Sequence, residues 1–154
     1  MEEFPPNPGT YALIMQMEQP AAIPIGKLGT LAFPAGYYIY IGSAHGPGGL
    51  RARLHRHLAS AHAICHWHID WLRPHTSILN IYFTTSHERL ECNWCQICAS
   101  FPGVQVPVHR FGASDCRNGC PAHLFFFSSK ASTFSLPEEL RKISQYQVIL
   151  SDPR

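Results

Sequence analysis

The chain has 154 residues, 45% of them apolar and only 14% charged, with a formal net charge of +2. That balance excludes an intrinsically disordered chain, which needs low hydrophobicity and high net charge, and the length fits one domain. No apolar run approaches the ~18 residues expected of a membrane span, and so small a net charge names no partner. The acidic, proline-rich start Met1-Glu2-Glu3-Phe4-Pro5-Pro6 is the opposite of a secretory signal. The six cysteines (Cys65, Cys92, Cys95, Cys98, Cys116, Cys120) are therefore expected in the cytoplasm, as thiols or metal ligands rather than disulfides.

Residues 1–9 read as a lead-in ended by Asn7-Pro8-Gly9. Thr10 to Met17 is rich in strand-favouring residues, and Ala22 to Ile25 follows as a short strand. Gly26-Lys27-Leu28-Gly29 is turn material, Thr30 to Phe33 returns, and Pro34-Ala35-Gly36 breaks before the strand Tyr37 to Ile41. After Gly46-Pro47-Gly48-Gly49, a helix over Leu50–Ala61 buries Leu50, Leu54 and Leu58 and turns Arg51, Arg53, Arg56 and His57 away from them. A short helix is expected at His66–Leu72 and a strand at Ser77 to Thr84. Ser86, followed by Glu88, caps a helix running to Ala99. Short strands are expected at Gln105–Val108 and Leu124–Phe127, a helix near Pro137–Ser144 and a strand at Gln147–Leu150. The fold class implied is a small α/β domain, a central antiparallel sheet flanked by helices. Strands 10–17 and 37–42 pair directly, with residues 22–33 as an inserted hairpin.

One constellation carries chemistry. Tyr40-Ile41-Gly42 ends a strand, and a glycine-rich loop leads into a helix holding Arg53 and His57, four residues apart and so on one face. In an antiparallel meander the earlier strand brings Tyr11, after Gly9-Thr10, near Tyr40. Two phenols, a guanidinium and an imidazole then converge, although aromatic residues are also ordinary strand formers.

The segments Gly9-Thr10-Tyr11 and Tyr40-Ile41-Gly42, in order with Arg53 and His57, resemble the GIY-YIG nuclease family. Three later segments are similar to its prokaryotic Uri-type branch: His66-Trp67-His68-Ile69-Asp70, Glu91-Cys92, and Phe111-Gly112-Ala113-Ser114-Asp115-Cys116 with Cys120-Pro121-Ala122-His123-Leu124 behind it. The resemblance implies a GIY-YIG-like core over about residues 8–100 with a family-specific extension at 101–154. It also implies a Mg2+- or Mn2+-dependent endonuclease acting on DNA in repair or processing, with no membrane and a possible repair-protein partner. In that reading Tyr11 and Tyr40 activate water, assisted by His57. Arg53 holds the phosphate through two parallel hydrogen bonds, and Glu91 binds the cation. Glu91 is preferred to Glu88 as lying deeper in its helix beside Cys92. Arg51 and Arg56 are expected to attract DNA backbone phosphate without sequence choice.

Other residues take plainer readings. Tyr37, Tyr38 and Tyr82 are packing aromatics, and His55 and His62 are surface residues. His66 and His68 point to different sides of a helix, so Trp67, Ile69 and Trp71 are expected to pack under a polar cap instead of framing a metal. Cys116, Cys120, His123 and one helical cysteine suit a structural Zn2+ geometrically, but the favoured reading of the cysteines is as buried small hydrophobes. The function alternatives are a catalytically idle nucleic-acid-binding module and a zinc-stabilised interaction domain.

Overall fold

A computed structural model describes residues 4–59, 64–113, 119–130, 140 and 147–151. The strands are β1 (Thr10–Met17), β2 (Ala21–Pro24), β3 (Thr30–Phe33), β4 (Gly36–Ser43), β5 (Ser77–Thr84), β6 (Leu124–Phe127) and β7 (Gln147–Ser151). The helices are α1 (Gly49–Leu58), α2 (His68–Leu72) and α3 (Glu91–Ser100). Five strands form one antiparallel sheet in the order β6-β4-β1-β5-β7, and β2 and β3 form a separate hairpin. The mixed α/β class and the inserted hairpin match the expectation from sequence.

Period-two alternation divides β1 between two cores. Tyr11, Leu13 and Met15 face Leu50 and Leu54 of α1 and Ile69 and Leu72 of α2. Ala12 and Ile14 face Trp94, Cys95 and Cys98 of α3. Both faces are covered, so β1 and β4 read as nearly continuous apolar runs. No helix among the described residues is long and apolar enough to cross a membrane.

Several boundaries differ from the sequence reading. On α1 the buried stripe is Leu50, Leu54 and His57, with Leu58 only half-buried. A helix of 3.6 residues per turn returns to its inner face after seven residues more closely than after eight. The second helix starts at His68, because the Asp70 carboxylate accepts the N–H groups of His66 and Trp67 and holds both ahead of the first turn. Ser86 does not cap α3. Its hydroxyl accepts the Glu88 N–H at 3.0 Å in a local turn, and the helix begins at Glu91. Glu91 is thus the first helical residue and not a deeper one. Strand 105–108 shrinks to one bridge, Gln105 with Phe126, since Pro107 has no N–H to continue a ladder. The expected helix near 137–144, apart from Leu140, lies outside the described residues, as do His62, Asp115 and Cys116.

Candidate active site

The register of the central strands builds the site. Tyr11 stands opposite Gly42 and Leu13 opposite Tyr40, so the two tyrosines lie on the same face near one end of the sheet. Their ring centroids are 6.5 Å apart. Gly42 is required by this approach, because a side-chain carbon there would overlap the Tyr11 ring and hydroxyl. Gly42→Ala is expected to displace Tyr11 and cost ~1–3 kcal/mol by overpacking, read as a lower urea midpoint. An unchanged midpoint would show that the ring moves aside freely.

Helix α1 closes over this end of the sheet. The Tyr11 hydroxyl and His57 Nε2 are 2.6 Å apart, both fully buried. His57 also meets Tyr40, with ring centroids at 5.9 Å. Burial, reinforced by Arg53, drives the His57 pKa down to about 3, against the opposing charge of Asp70. The imidazole is therefore neutral at pH 7, and its Nε2 shares one hydrogen with the Tyr11 hydroxyl. Burial pushes the Tyr11 phenol up, while the charge and hydrogen bonding of Arg53 pull it back. Tyr40 is raised as well, first by burial and then by Tyr11 and Glu91. Neither phenol is ionised at rest.

Arg53 donates to the Ser43 carbonyl at 2.9 Å and lies over the Trp67 ring, 4.2 Å from its centroid. Trp67 remains 38% exposed, so it does not pack beneath the surface as the sequence suggested. Arg56 is 5.0 Å from the same centroid but is committed elsewhere. It pairs with the buried Asp70 carboxylate at 2.8 Å and donates to the Ile64 carbonyl at 3.2 Å. Burial pushes the Asp70 carboxyl up, but Arg56 and the two backbone N–H groups outweigh it and hold it below the usual range. A buried carboxylate needs such a partner, so Arg56 braces α1 against α2 instead of standing free for phosphate. Arg51 is exposed and donates to the Phe4 carbonyl at 2.8 Å, fastening the lead-in segment to α1.

Glu91 approaches the same end of the sheet from the first turn of α3. Its Oε2 is 3.1 Å from His123 Nδ1, and its side chain keeps 26% exposure. Its charge raises both Tyr11 and Tyr40. Glu88 is exposed and Asn93 is exposed, while Asn80 donates to the Tyr82 hydroxyl at 3.1 Å.

Three residues that tie the site together were not singled out from sequence as part of it. Arg73 is buried and donates to the His57 carbonyl at 2.7 Å, which fixes the end of α1. His68 accepts the Gly112 N–H at Nδ1, 2.8 Å away, and so is a loop anchor. His123 is held through its backbone, which receives Ile41 N–H at 2.9 Å and donates to the Phe111 carbonyl at 2.8 Å. The spacing of Cys120 and His123 signals that loop, but only β6 pairing beside β4 brings it to Glu91.

The profile of a family described as "Domain of unknown function DUF123" matches residues 10–145. No curated protein and no solved structure matches the chain. The profile match overturns the resemblance to the GIY-YIG nuclease family and to its Uri-type branch, because DUF123 is a different family. The two tripeptides, Arg53, His57 and the three later segments carry no membership against a match to a different family over residues 10–145. The chain belongs to the DUF123 family.

Proposed function

We propose that this domain is a divalent-metal-dependent endonuclease that hydrolyses DNA phosphodiester bonds in a cytoplasmic repair or processing role. The observation that carries the reading is the buried Tyr11–His57 hydrogen bond of 2.6 Å, packed against Tyr40 and bordered by Arg53, which lies over the exposed Trp67 ring. Phosphodiester hydrolysis needs a route for the attacking water's proton and positive charge on the phosphate. It also needs relief of charge on the leaving oxygen.

Each group present has a role of that kind. Arg53 donates to the non-bridging phosphate oxygens as their charge grows. Tyr40, 7% exposed, packs its ring against both members of the buried pair, 6.5 Å from Tyr11 and 5.9 Å from His57 between centroids, and in this reading the proton of water reaches the neutral His57 by way of the phenols. Bound phosphate would offset the Arg53 charge that depresses His57, making it a better base in the complex than at rest. Trp67, steadied by the Arg53 guanidinium, offers an exposed ring for stacking a splayed base. The Glu91 carboxylate, partly exposed and near enough for its charge to raise both phenols, suits one hard divalent cation that retains its waters, Mg2+ or Mn2+. Such a cation supplies charge neutralisation at the leaving oxygen. Asp70 is not available for that purpose, being saturated by Arg56 and two N–H donors.

A cleavage screen over duplex, flap, branched and single-stranded DNA with Mg2+ or Mn2+ tests the proposal. Cutting of at least one substrate is expected, with Glu91→Ala lowering the rate ~10²-fold or more while DNA binding persists. Binding without cleavage by the unaltered protein on every substrate would instead establish a DNA-binding module, in which repair chemistry belongs to a partner.

A further inference from the structure

A second donor set lies beside Glu91 and has no part in the chemistry above. Cys92 on the first turn of α3, and Cys120 and His123 before β6, present ligand atoms that all lie within 4.8 Å of one another. They come from elements far apart in sequence, and the Cys120 sulfur also lies 4.0 Å from the Cys92 carbonyl oxygen. Cys120 and His123 are buried and Cys92 is half-buried. We propose that Cys92, Cys120 and His123 bind one Zn2+ ion that fastens α3 to the loop leading into β6.

Zn–S bonds of ~2.3 Å and Zn–N bonds of ~2.0–2.1 Å put tetrahedral ligand atoms roughly 3.5–3.8 Å apart. The set therefore needs a contraction of about 1.3 Å at most to close around an ion. Two thiolates and an imidazole favour zinc over the hard cations that carboxylates and water prefer. Binding replaces two S–H bonds with two Zn–S bonds and releases both protons to solvent, with no change of oxidation state. Glu91 Oε2 lies 3.1 Å from His123 Nδ1, and with Nε2 on the ion it would be the acid that orients the imidazole, an arrangement common behind zinc-bound histidines. Gly112 belongs to the same enclosure. At φ +70° it sits with its added-carbon position 3.2 Å from the Tyr40 ring and 3.3 Å from His123 Cβ, which brings the phenol and the metal ligand together. The zinc would thereby set where Glu91 stands relative to Tyr40.

The inference is independent of the nuclease reading, and its test needs no DNA. The untagged full chain, purified without chelator, is expected to carry about one zinc per chain by elemental analysis. Cys92→Ser and His123→Gln should each lower that content at least tenfold, whereas Cys95→Ala, one turn along α3, should leave it unchanged. Where a ligand variant fails to fold, cobalt-exchanged wild type decides the matter. Thiolate-to-cobalt charge-transfer absorption with intense tetrahedral ligand-field bands supports the site. A wild-type chain with only trace zinc and no such absorption overturns it. So does His123→Gln or Cys92→Ser with a full complement of zinc, or loss of zinc in a folded Cys95→Ala protein.

Discussion

Arg53→Ala is expected to reduce the rate of DNA cleavage at saturating substrate by about 10²–10³-fold, the loss typical of removing one donor aimed at developing negative charge. Arg53 is the cation of α1 that borders Tyr11, the Ser43 carbonyl and the exposed Trp67 ring at once. Arg51→Ala, by contrast, should weaken binding and flatten its salt dependence with little change in the saturated rate, because Arg51 lies apart, tied to the lead-in segment. Arg53→Lys should restore only part of the lost rate. A lysine keeps the charge but forms neither two parallel hydrogen bonds nor a planar stack on Trp67. Single-turnover kinetics on all three variants, with circular dichroism to confirm folding, gives the comparison. Equal losses for Arg51→Ala and Arg53→Ala would show that α1 acts only as a basic surface, and a wild-type rate in Arg53→Ala would remove the phosphate role altogether.

The reasons for this split between neighbouring arginines mark what a sequence can carry. The convergence of Tyr11 and Tyr40 was legible, because aromatic-rich runs around two turns imply a meander, and antiparallel pairing then fixes which residues meet. The common face of Arg53 and His57 was legible from their spacing of four. Arg56 was not, since its partner Asp70 belongs to another helix and nothing local distinguishes a solvated arginine from a paired one. The start of α3 was missed for a related reason. A serine followed by an acid is a helix signal only when the next turn continues, and here the hydroxyl satisfies its own short turn. Spacing already groups Cys120, His123 and one helical cysteine, but that Cys92 is the helical member depends on β6 adding to the edge of β4, a pairing across more than eighty residues that periodicity does not encode. The family assignment failed although its segments ran from Gly9 through Tyr40, Arg53 and His57 to Leu124, because the match over residues 10–145 is to a different family, DUF123.

Burial of His57 predicts a large acid sensitivity of the folded state. The imidazole has a pKa of about 3 in the fold against 6.5 in the unfolded chain. Between those values unfolding takes up a proton, so stability falls as pH drops from 6.5 towards 3, by up to ~1.4 kcal/mol per pH unit and ~5 kcal/mol in all. The groups facing His57 are Tyr11 from β1, Tyr40 from β4, Arg53 and Arg56 on its own helix, Asp70 on α2 and Arg73 just beyond it. The arginines keep their charge throughout this range, and the tyrosines stay neutral. Asp70, held below the usual carboxylate range, loses its contribution only at lower pH. His45 and His68 are also lowered by burial and act in the same direction. The comparison with His57→Gln isolates the one histidine. Urea unfolding between pH ~4.5 and ~6.5 should show the wild-type stability falling more steeply than that of the variant by close to one proton. Equal slopes would mean that His57 is already charged or hydrated in the folded protein. A neutral imidazole at Nε2 would then be unavailable to receive the Tyr11 proton, and the relay would have to end elsewhere. The stability that the buried histidine removes at acid pH and its capacity to accept a proton at neutral pH have the same origin, an imidazole kept from water between two phenols and an arginine.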